Sequence, residues 1–372
     1  TTLARALGGI PSRSPGCLVF VVGGGEEVDC PGTSGSKGAA MAEGGVLGAG
    51  DTSRDGELLA HRGLLYGSEE EFLAGTLPFI RDGLERGDPI RIATTDRNAG
   101  WLRAALGVDV RHVAFCDSSQ RCRHPVRALA ALHDVVQTVS AGGQRLRIIR
   151  EPWWTACTPQ ESKEWARHES IVNAALALAN AALVCAYDTC VVDPDVLDNV
   201  ARTHPELVGN GGSQPNPSYA NPAVFNTECN RSPLPELPPP TLWLRFRQLD
   251  QLAALRAFVT SHAIQTGAAT QYVEQFVQAV DEVTTNAIQH GGGSGVLQIW
   301  ADPQAMTCEV SDTGTGLGDP LAGYLPPGRI AVRGRGLWIA RQFSDLIELH
   351  SDSAGTTVRL HLTPPFDGRR AA

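Results

Sequence analysis

DEVTTNAIQHGGGSGVLQIWADPQAMTCEVSDTGTGL, residues 281–317, is the stretch on which the fold turns. It begins inside a helical pattern. Val273, Phe276, Val277, Val280, Val283, Ala287 and Ile288 recur at three- and four-residue steps and predict a helix from about Thr270 to His290. Glu282 and Asn286 stand one turn apart on a different face of that helix. Such a pair suits a magnesium-nucleotide site. The amide oxygen is a hard ligand for Mg²⁺, and the carboxylate can take a proton from an attacking hydroxyl. Alone, E-x-x-x-N is commonplace on exposed helices. Further on, Met306 to Ser311 reads as a strand that runs directly into Asp312-Thr-Gly-Thr-Gly-Leu317. Asp312 at a strand end can accept a hydrogen bond from an amino group such as that of adenine. Gly314 and Gly316 remove side chains where a planar base would approach the backbone. Alone, this segment is also what a glycine-rich turn looks like.

Two more elements follow. Arg333-Gly334-Arg335-Gly336-Leu337 opens a predicted helix over 337–343, and glycines before a helix N-terminus expose backbone amides to an anion. Gly355-Thr356-Thr357-Val358 then closes the region on a strand. The ordered set carries what no single element does. It resembles the N-box, the two glycine boxes and the closing Gly-Thr of the GHKL superfamily, which has the Bergerat ATP-binding fold. The context Asp281-Glu282 through Asn286, His290 and Gly291 resembles the anti-sigma-factor serine kinases of the RsbW type, over residues 241–363.

The resemblance implies ATP and Mg²⁺ as cofactors. It makes Glu282 the general base, Asn286 the Mg²⁺ ligand and Asp312 the adenine anchor beside Gly314 and Gly316. Gly334, Gly336 and Leu337 would border the phosphates, and Thr356 would lie near the adenine. His290 is also typical there and reads as a capping or packing residue. Residues 318–332 fall where the family has its ATP lid, and Pro326-Pro327-Gly328 makes that segment a loop able to close over phosphates. The implied partners are a sigma factor and an anti-anti-sigma protein of the STAS type, and a homodimer is compatible with the reading. The order of predicted segments over 241–365 is strand, two helices, two strands, helix, two strands. That is an α/β sandwich with helices on one face of a mixed sheet.

Upstream, prolines at 205, 215, 217, 222, 233, 235, 238, 239 and 240 crowd the stretch from His204 to Thr241. Such a run argues against a helix or an inner strand and reads as a connector, with 226–240 as the linker proper. Its first part, with Tyr219 and Phe225, is expected to pack on what precedes it. Residues 57–204 alternate helix-like and strand-like segments: helix 69–86, strand 89–94, helix 99–106, strand 110–115, helix 126–140, strand 146–150, helix 161–181, strand 182–187. This alternation predicts a mostly parallel sheet with helices on its faces.

Ligands in such folds gather at the carboxyl ends of strands. Those ends carry Thr94-Thr95-Asp96, Asp117, Arg150-Glu151-Trp153-Trp154 and Tyr187-Asp188. The paired tryptophans could line a pocket, but packing plus a surface ion pair is the simpler reading. His168-Glu169 superficially resembles a phospho-acceptor motif, and a partly buried or solvated histidine is the simpler reading there too. No G-x-x-x-x-G-K-[ST] is present, so this half is no P-loop NTPase. Leu65-Tyr66, Ile92-Ala93-Thr94, Arg150-Glu151-Trp153-Trp154, His168-Glu169 with Asn173, Cys185 to Asp188 and His204-Pro205 together resemble the MEDS sensory domain over residues 57–225. That resemblance implies sensing of a small ligand and carries over no ligand-binding residue.

Composition bounds the rest. A net charge of −9 over 372 residues argues against a general nucleic-acid footprint, and 42% hydrophobic content supports real cores. The nine cysteines show neither C-x-x-C pairs nor zinc-finger spacing with histidine, so they read as reduced thiols in a cytoplasmic protein. No stretch is long and apolar enough for a transmembrane helix. Residues 1–56 read as a disordered Gly/Ser-rich tail with Met41 as the expected start, and 366–372 as a second tail. The combined expectation is an anti-sigma regulatory protein with ATP-dependent serine kinase activity, coupled to a sensory domain. The alternatives are an ATP-binding anti-sigma module without phosphotransfer and, last, a sensor histidine kinase.

Overall fold

The computed structural model describes residues 59–116, 124–140, 142–151, 157–209, 212–238, 241–302, 305–325 and 335–363. The expectations for both tails, Asp117, Trp153, Trp154, Pro326 to Gly328, Arg333 and Gly334 lie outside these residues.

The first half is built on a seven-stranded sheet. Its strands are β1 (Leu59–Tyr66), β2 (Ile90–Ala93), β3 (Val113–Phe115), β4 (Leu146–Arg150), β5 (Ala181–Asp188), β6 (Glu206–Gly209) and β7 (Gly212–Pro215), in the order β3-β2-β4-β5-β1-β6-β7. All pair parallel except the β6–β7 hairpin. Helices α1 (Glu69–Arg86), α2 (Asp96–Leu106), α3 (Pro125–Ser140), α4 (Pro159–Ala175), α5 (Pro194–Thr203) and α6 (Pro222–Arg231) cover it. Local chemistry explains their starts. Ser68 accepts from Glu71 N at the head of α1, ahead of three glutamates, and Gly87 ends that helix in the left-handed conformation. Thr158 and Glu161 form a reciprocal capping box around Pro159 at the head of α4. Every residue of β5 is buried, as an inner parallel strand requires.

Two expectations change here. β1 lies between β5 and β6, yet its sequence LAHRGLLY breaks the apolar run at His61-Arg62-Gly63 and predicts no strand. The proline-rich stretch is also more ordered than its composition suggests. Pro222 stands in the first turn of α6 and Pro215 ends the edge strand β7, where a missing N–H costs little, so β6, β7 and α6 form within it. Phe225 of α6 is buried, as expected. The predicted helix over 161–181 ends at Ala175, and β5 starts at Ala181.

The second half is an α/β sandwich, as expected. Its five strands, β8 (Leu242–Phe246), β9 (Gly295–Ala301), β10 (Met306–Asp312), β11 (Leu346–Asp352) and β12 (Gly355–Leu362), run in the order β11-β12-β10-β9-β8. Every pairing is antiparallel rather than mixed: β8–β9, β9–β10 and β11–β12 are paired successive strands, and the β10-to-β11 connection leaves room for β12 to insert between them. Helices α7 (Leu252–Ala263), α8 (Thr270–Gln289) and α9 (Gly336–Phe343) pack on one face. Val273, Phe276, Val280, Val283 and Ala287 of α8 meet Leu297, Cys308, Val310 and Leu360 of the sheet in one core. The other face carries polar pairs, among them Arg359 donating to Glu309 at 2.5 Å. The chain after α6 lies on that face: Arg359 also donates to Pro235 O, and His350 donates to Ser232 O. Among the described residues no helix is long and apolar enough to cross a membrane.

Candidate functional site

Helix α8 brings Glu282 and Asn286 to the first turn of α9. The approach is so close that a Cβ at Gly336 would lie 2.8 Å from Glu282 Oε2 and 3.2 Å from Asn286 Nδ2. A Cβ there would have to displace the end of the Glu282 side chain. The N-cap of α9, Arg335, makes no side-chain capping bond, and the first-turn N–H groups of a helix are where an anion binds. Glu282 is half-buried. Burial raises its pKa above the ordinary carboxylate value, and neighbouring Asp281 raises it further. Leu337 is packed against the core and also touches Gly323 of the lid segment, where a Cβ would lie 2.7 Å from Leu337 Cγ.

A second cluster forms where α8 ends, about 10 Å along its axis from Glu282 and about 5 Å from Asn286. Asp312, the last residue of β10, accepts hydrogen bonds at Oδ1 from Gly314 N (2.9 Å) and Thr356 N (3.2 Å). Its Oδ2 faces Gly291, where a Cβ would lie 2.4 Å away. Gly314 approaches Gly291 equally closely, and a Cβ at Gly316 would meet Asp352 O at 2.3 Å. Burial raises the Asp312 pKa, while the two backbone N–H bonds lower it. Ser351 completes the cluster: its Oγ accepts from Leu317 N at 2.8 Å and lies 3.3 Å from Thr356 Oγ1. The D-x-G-x-G segment and the closing Gly-Thr are thus one hydrogen-bonded unit. Glu282, Asn286, Gly336 and Leu337 meet beside the C-terminal half of α8, and Asp312, Gly314, Gly316 and Thr356 gather just beyond its C-terminus. Sequence reasoning missed Gly291 as a packing partner and Ser351 altogether. The contact of Gly291 could have been sought, because an N-box helix ending in three glycines announces close backbone approach. Nothing local marks Ser351.

Gly355 locks this unit. Its φ is +147°, and a Cβ there would sit 2.1 Å from Asp312 O. Gly355→Ala is expected to cost more than about 2 kcal/mol, since neither strained backbone nor a backbone oxygen can yield cheaply. Urea unfolding of the variant and wild type checks this; equal midpoints would contradict it.

The parallel-sheet half shows how its conspicuous residues are used. Glu151 accepts from Tyr66 OH (2.8 Å), Thr94 Oγ1 (2.6 Å), Thr95 N (3.1 Å) and Asn98 Nδ2 (3.0 Å), which ties four segments together at the strand ends. Arg97 pairs with Asp188 at 2.5 Å. His168 is buried, with Nδ1 donating to Pro125 O and Nε2 accepting from Arg150. Burial and the Arg150 charge hold its pKa down at about 3. Both ring nitrogens are occupied, so it has the surroundings of a structural histidine.

The two halves meet at α9. Arg341 donates to Glu164 of α4 at 2.7 Å, with both side chains buried. Its guanidinium stacks over Tyr324, 3.6 Å from the ring centroid. Tyr324 belongs to the lid segment, yet it is buried among Val126, Leu129, Ile171 and Leu176 of the first half. The C-terminal carbonyls of α9 are satisfied from α3: Arg127 donates to Gln342 O at 3.0 Å, and His124 lies 2.8 Å from Asp345 O just beyond.

A solved structure of the RsbU and RsbW domains of a Mycobacterium tuberculosis protein is similar at 20% identity. The similarity covers 34% of this chain and 32% of that one, with a TM-score of 0.26, so this chain spans about a third of that chain's length. No curated protein matches the chain. Two family models match separate parts of it: residues 60–205 match the MEthanogen/methylotroph, DcmR Sensory domain, and residues 247–362 match the histidine kinase-like ATPase domain.

Proposed function

We propose that the ATPase-like domain binds ATP with Mg²⁺ and transfers the γ-phosphoryl group to a serine of an anti-anti-sigma partner. We propose further that it binds a sigma factor in competition with that partner, and that a small ligand of the sensory half biases the exchange. The observation that carries the reading is the juxtaposition of Glu282 and Asn286 with the uncapped first turn of α9. The donor set fits the cofactor: an amide oxygen for a hard cation, the N–H groups of a helix N-terminus for phosphate, and a carboxylate beside that first turn. Bound Mg²⁺ would supply charge neutralisation at the phosphates. Glu282 would accept the serine proton as Oγ bonds to the γ-phosphorus, while the α9 amides hold the phosphoryl oxygens and ADP departs. Support for coupling comes from α9, which ends on the sensory half at Arg127 and Glu164, and from Tyr324, which anchors the lid segment there.

The test is incubation of the protein with radiolabelled ATP and STAS-type proteins from its own genome. Acid-stable phosphoserine on a partner supports the reading. Acid-labile phosphate on this chain would sink it, and nucleotide binding without any transfer would leave a binding module in its place.

The acid limb of the rate profile follows from Glu282. A general base works deprotonated, so transfer should rise as pH climbs through a Glu282 pKa that lies above the usual carboxylate range. Asp281→Asn removes the neighbouring charge and should move that limb to lower pH. It also removes an exposed ion pair with Arg256, at a cost below about 1 kcal/mol. Coincident acid limbs in the two proteins would contradict this.

The interface makes a separate prediction. Wild type should unfold in one calorimetric transition. Tyr324→Ala removes a buried aromatic ring at a cost of about 3–5 kcal/mol and, combined with Arg341→Met, should resolve two transitions. A single transition in the double variant would show that the halves are not held together there.

A further inference from the structure

Four buried side chains from four chain-distant elements converge inside the parallel-sheet half: His61 of β1, Glu169 of α4, Cys185 of β5 and His204 just after α5. Their nearest nitrogen, oxygen and sulfur atoms all lie within 4.8 Å of one another. His61 Nε2 is 3.3 Å from Cys185 Sγ and 3.5 Å from Glu169 Oε2. Glu169 Oε2 is 3.6 Å from both His204 Nε2 and Cys185 Sγ. Zinc–nitrogen and zinc–oxygen bonds of about 2.0–2.2 Å and zinc–sulfur bonds of about 2.3 Å put the edges of a tetrahedron at roughly 3.3–3.6 Å. These four distances have that size. We propose that His61, Glu169, Cys185 and His204 form a four-coordinate site for a divalent ion of the zinc class.

The surrounding hydrogen bonds prepare each group as a ligand. The Asn173 amide donates from Nδ2 to Glu169 O, Ser170 O and Thr203 O, which turns its Oδ1 toward His61 Nδ1 at 3.0 Å. Nδ1 of His61 must then carry the proton, leaving a lone pair on Nε2. Likewise, Val200 O lies 3.0 Å from His204 Nδ1 and can only accept, so the lone pair of His204 also sits on Nε2. Both lone pairs point into the cluster. Arg150 Nε donates to Cys185 Sγ at 3.1 Å, which fixes the sulfur at the edge of the cluster. Another Arg150 nitrogen binds Glu169 Oε1, leaving Oε2 for the ion. Two imidazole lone pairs, a cysteine sulfur and a carboxylate oxygen are thus gathered around one point, with Arg150 bound to the outer side of the sulfur and the carboxylate. Mixed nitrogen, sulfur and oxygen donors in tetrahedral spacing select zinc over magnesium or calcium. With all four positions filled by protein, the ion would be structural and would pin β1 and β5 to α4. The rival arrangement is a proton shared between His61 and Cys185 with no metal.

The test begins with the full chain purified without added metal and dialysed against a weak chelator. Elemental analysis should find about one zinc per chain. Stripping with a strong chelator should lower the thermal midpoint, and Zn²⁺ should restore it. Exchange to Co²⁺ should give the visible bands of a tetrahedral ion with a thiolate charge-transfer band. Cys185→Ser should lose that band, whereas His112→Ala, at an exposed histidine, should keep metal and spectrum. If Cys185→Ser fails to fold, the wild-type cobalt spectrum decides. A folded wild-type chain that holds no metal and takes up neither Zn²⁺ nor Co²⁺ would overturn the proposal. So would bound Co²⁺ without a thiolate band.

Discussion

Glu282→Ala is expected to lower phosphotransfer by roughly a hundred- to ten-thousand-fold while leaving ATP affinity within a few-fold of wild type. On the proposed reading the two effects separate, because Glu282 lies beside the first turn of α9, where the phosphates are proposed to bind, and the base is proposed to be read at Asp312. Removing a group that matters only as the serine proton moves should appear in kcat rather than in nucleotide binding. Glu282→Gln should fall almost as far, since its amide keeps the shape and hydrogen bonding but cannot accept the proton. Single-turnover transfer and equilibrium nucleotide titration together check this. A Gln variant near wild-type rate would remove Glu282 from the chemistry.

The second large effect belongs to Asp312. Asp312→Asn should weaken ATP binding by roughly ten- to hundred-fold, as expected for a lost charged hydrogen bond of about 1.5–3 kcal/mol. Asparagine is the cleaner substitution. Its Oδ1 can still accept from Gly314 N and Thr356 N, so the local fold is kept. The other carboxylate oxygen becomes an NH₂ group that opposes the adenine amino group. Discrimination between ATP and GTP should shrink as well, because the only change is at the base-reading atom. Calorimetric titration with both nucleotides measures it; unchanged ATP affinity would mean that the adenine lies elsewhere.

The grouping of the candidate site's residues was largely legible in the sequence because its parts are local and ordered. A helical period placed Glu282 and Asn286 on one face, and glycines marked where backbones had to touch. Ser351 escaped because it acts through a tertiary contact with Leu317 N that leaves no local trace. Antiparallel pairing throughout the second sheet escaped because strand direction depends on how connections double back, which periodicity does not encode. In the first half, β1 was hidden by His61, Arg62 and Gly63. Arg62 is there to pair with Glu206 at 2.7 Å, and His61 to face Glu169 and Cys185. The same circumstance hid the His61, Glu169, Cys185 and His204 cluster. Metal-ligand spacing is readable when ligands are neighbours in sequence, and here the sheet assembles them from residues 61 to 204. The role of Tyr324 was equally unreadable: its segment resembles a lid, and only the packing of the two halves makes it an anchor.

The account's central claim is that the nucleotide lies along α8, with adenine at Asp312 and the γ-phosphate between Glu282 and the first turn of α9. A crystal structure of the protein with Mg²⁺ and a non-hydrolysable ATP analogue tests it most directly. The account predicts the adenine amino group on the Asp312 carboxylate, Mg²⁺ on the Asn286 side-chain oxygen, phosphate oxygens on the amides around Gly336, and the Glu282 carboxylate facing the terminal phosphate. Triphosphate density away from α9, or Glu282 turned from the γ-phosphate with Mg²⁺ held by other groups, would contradict it.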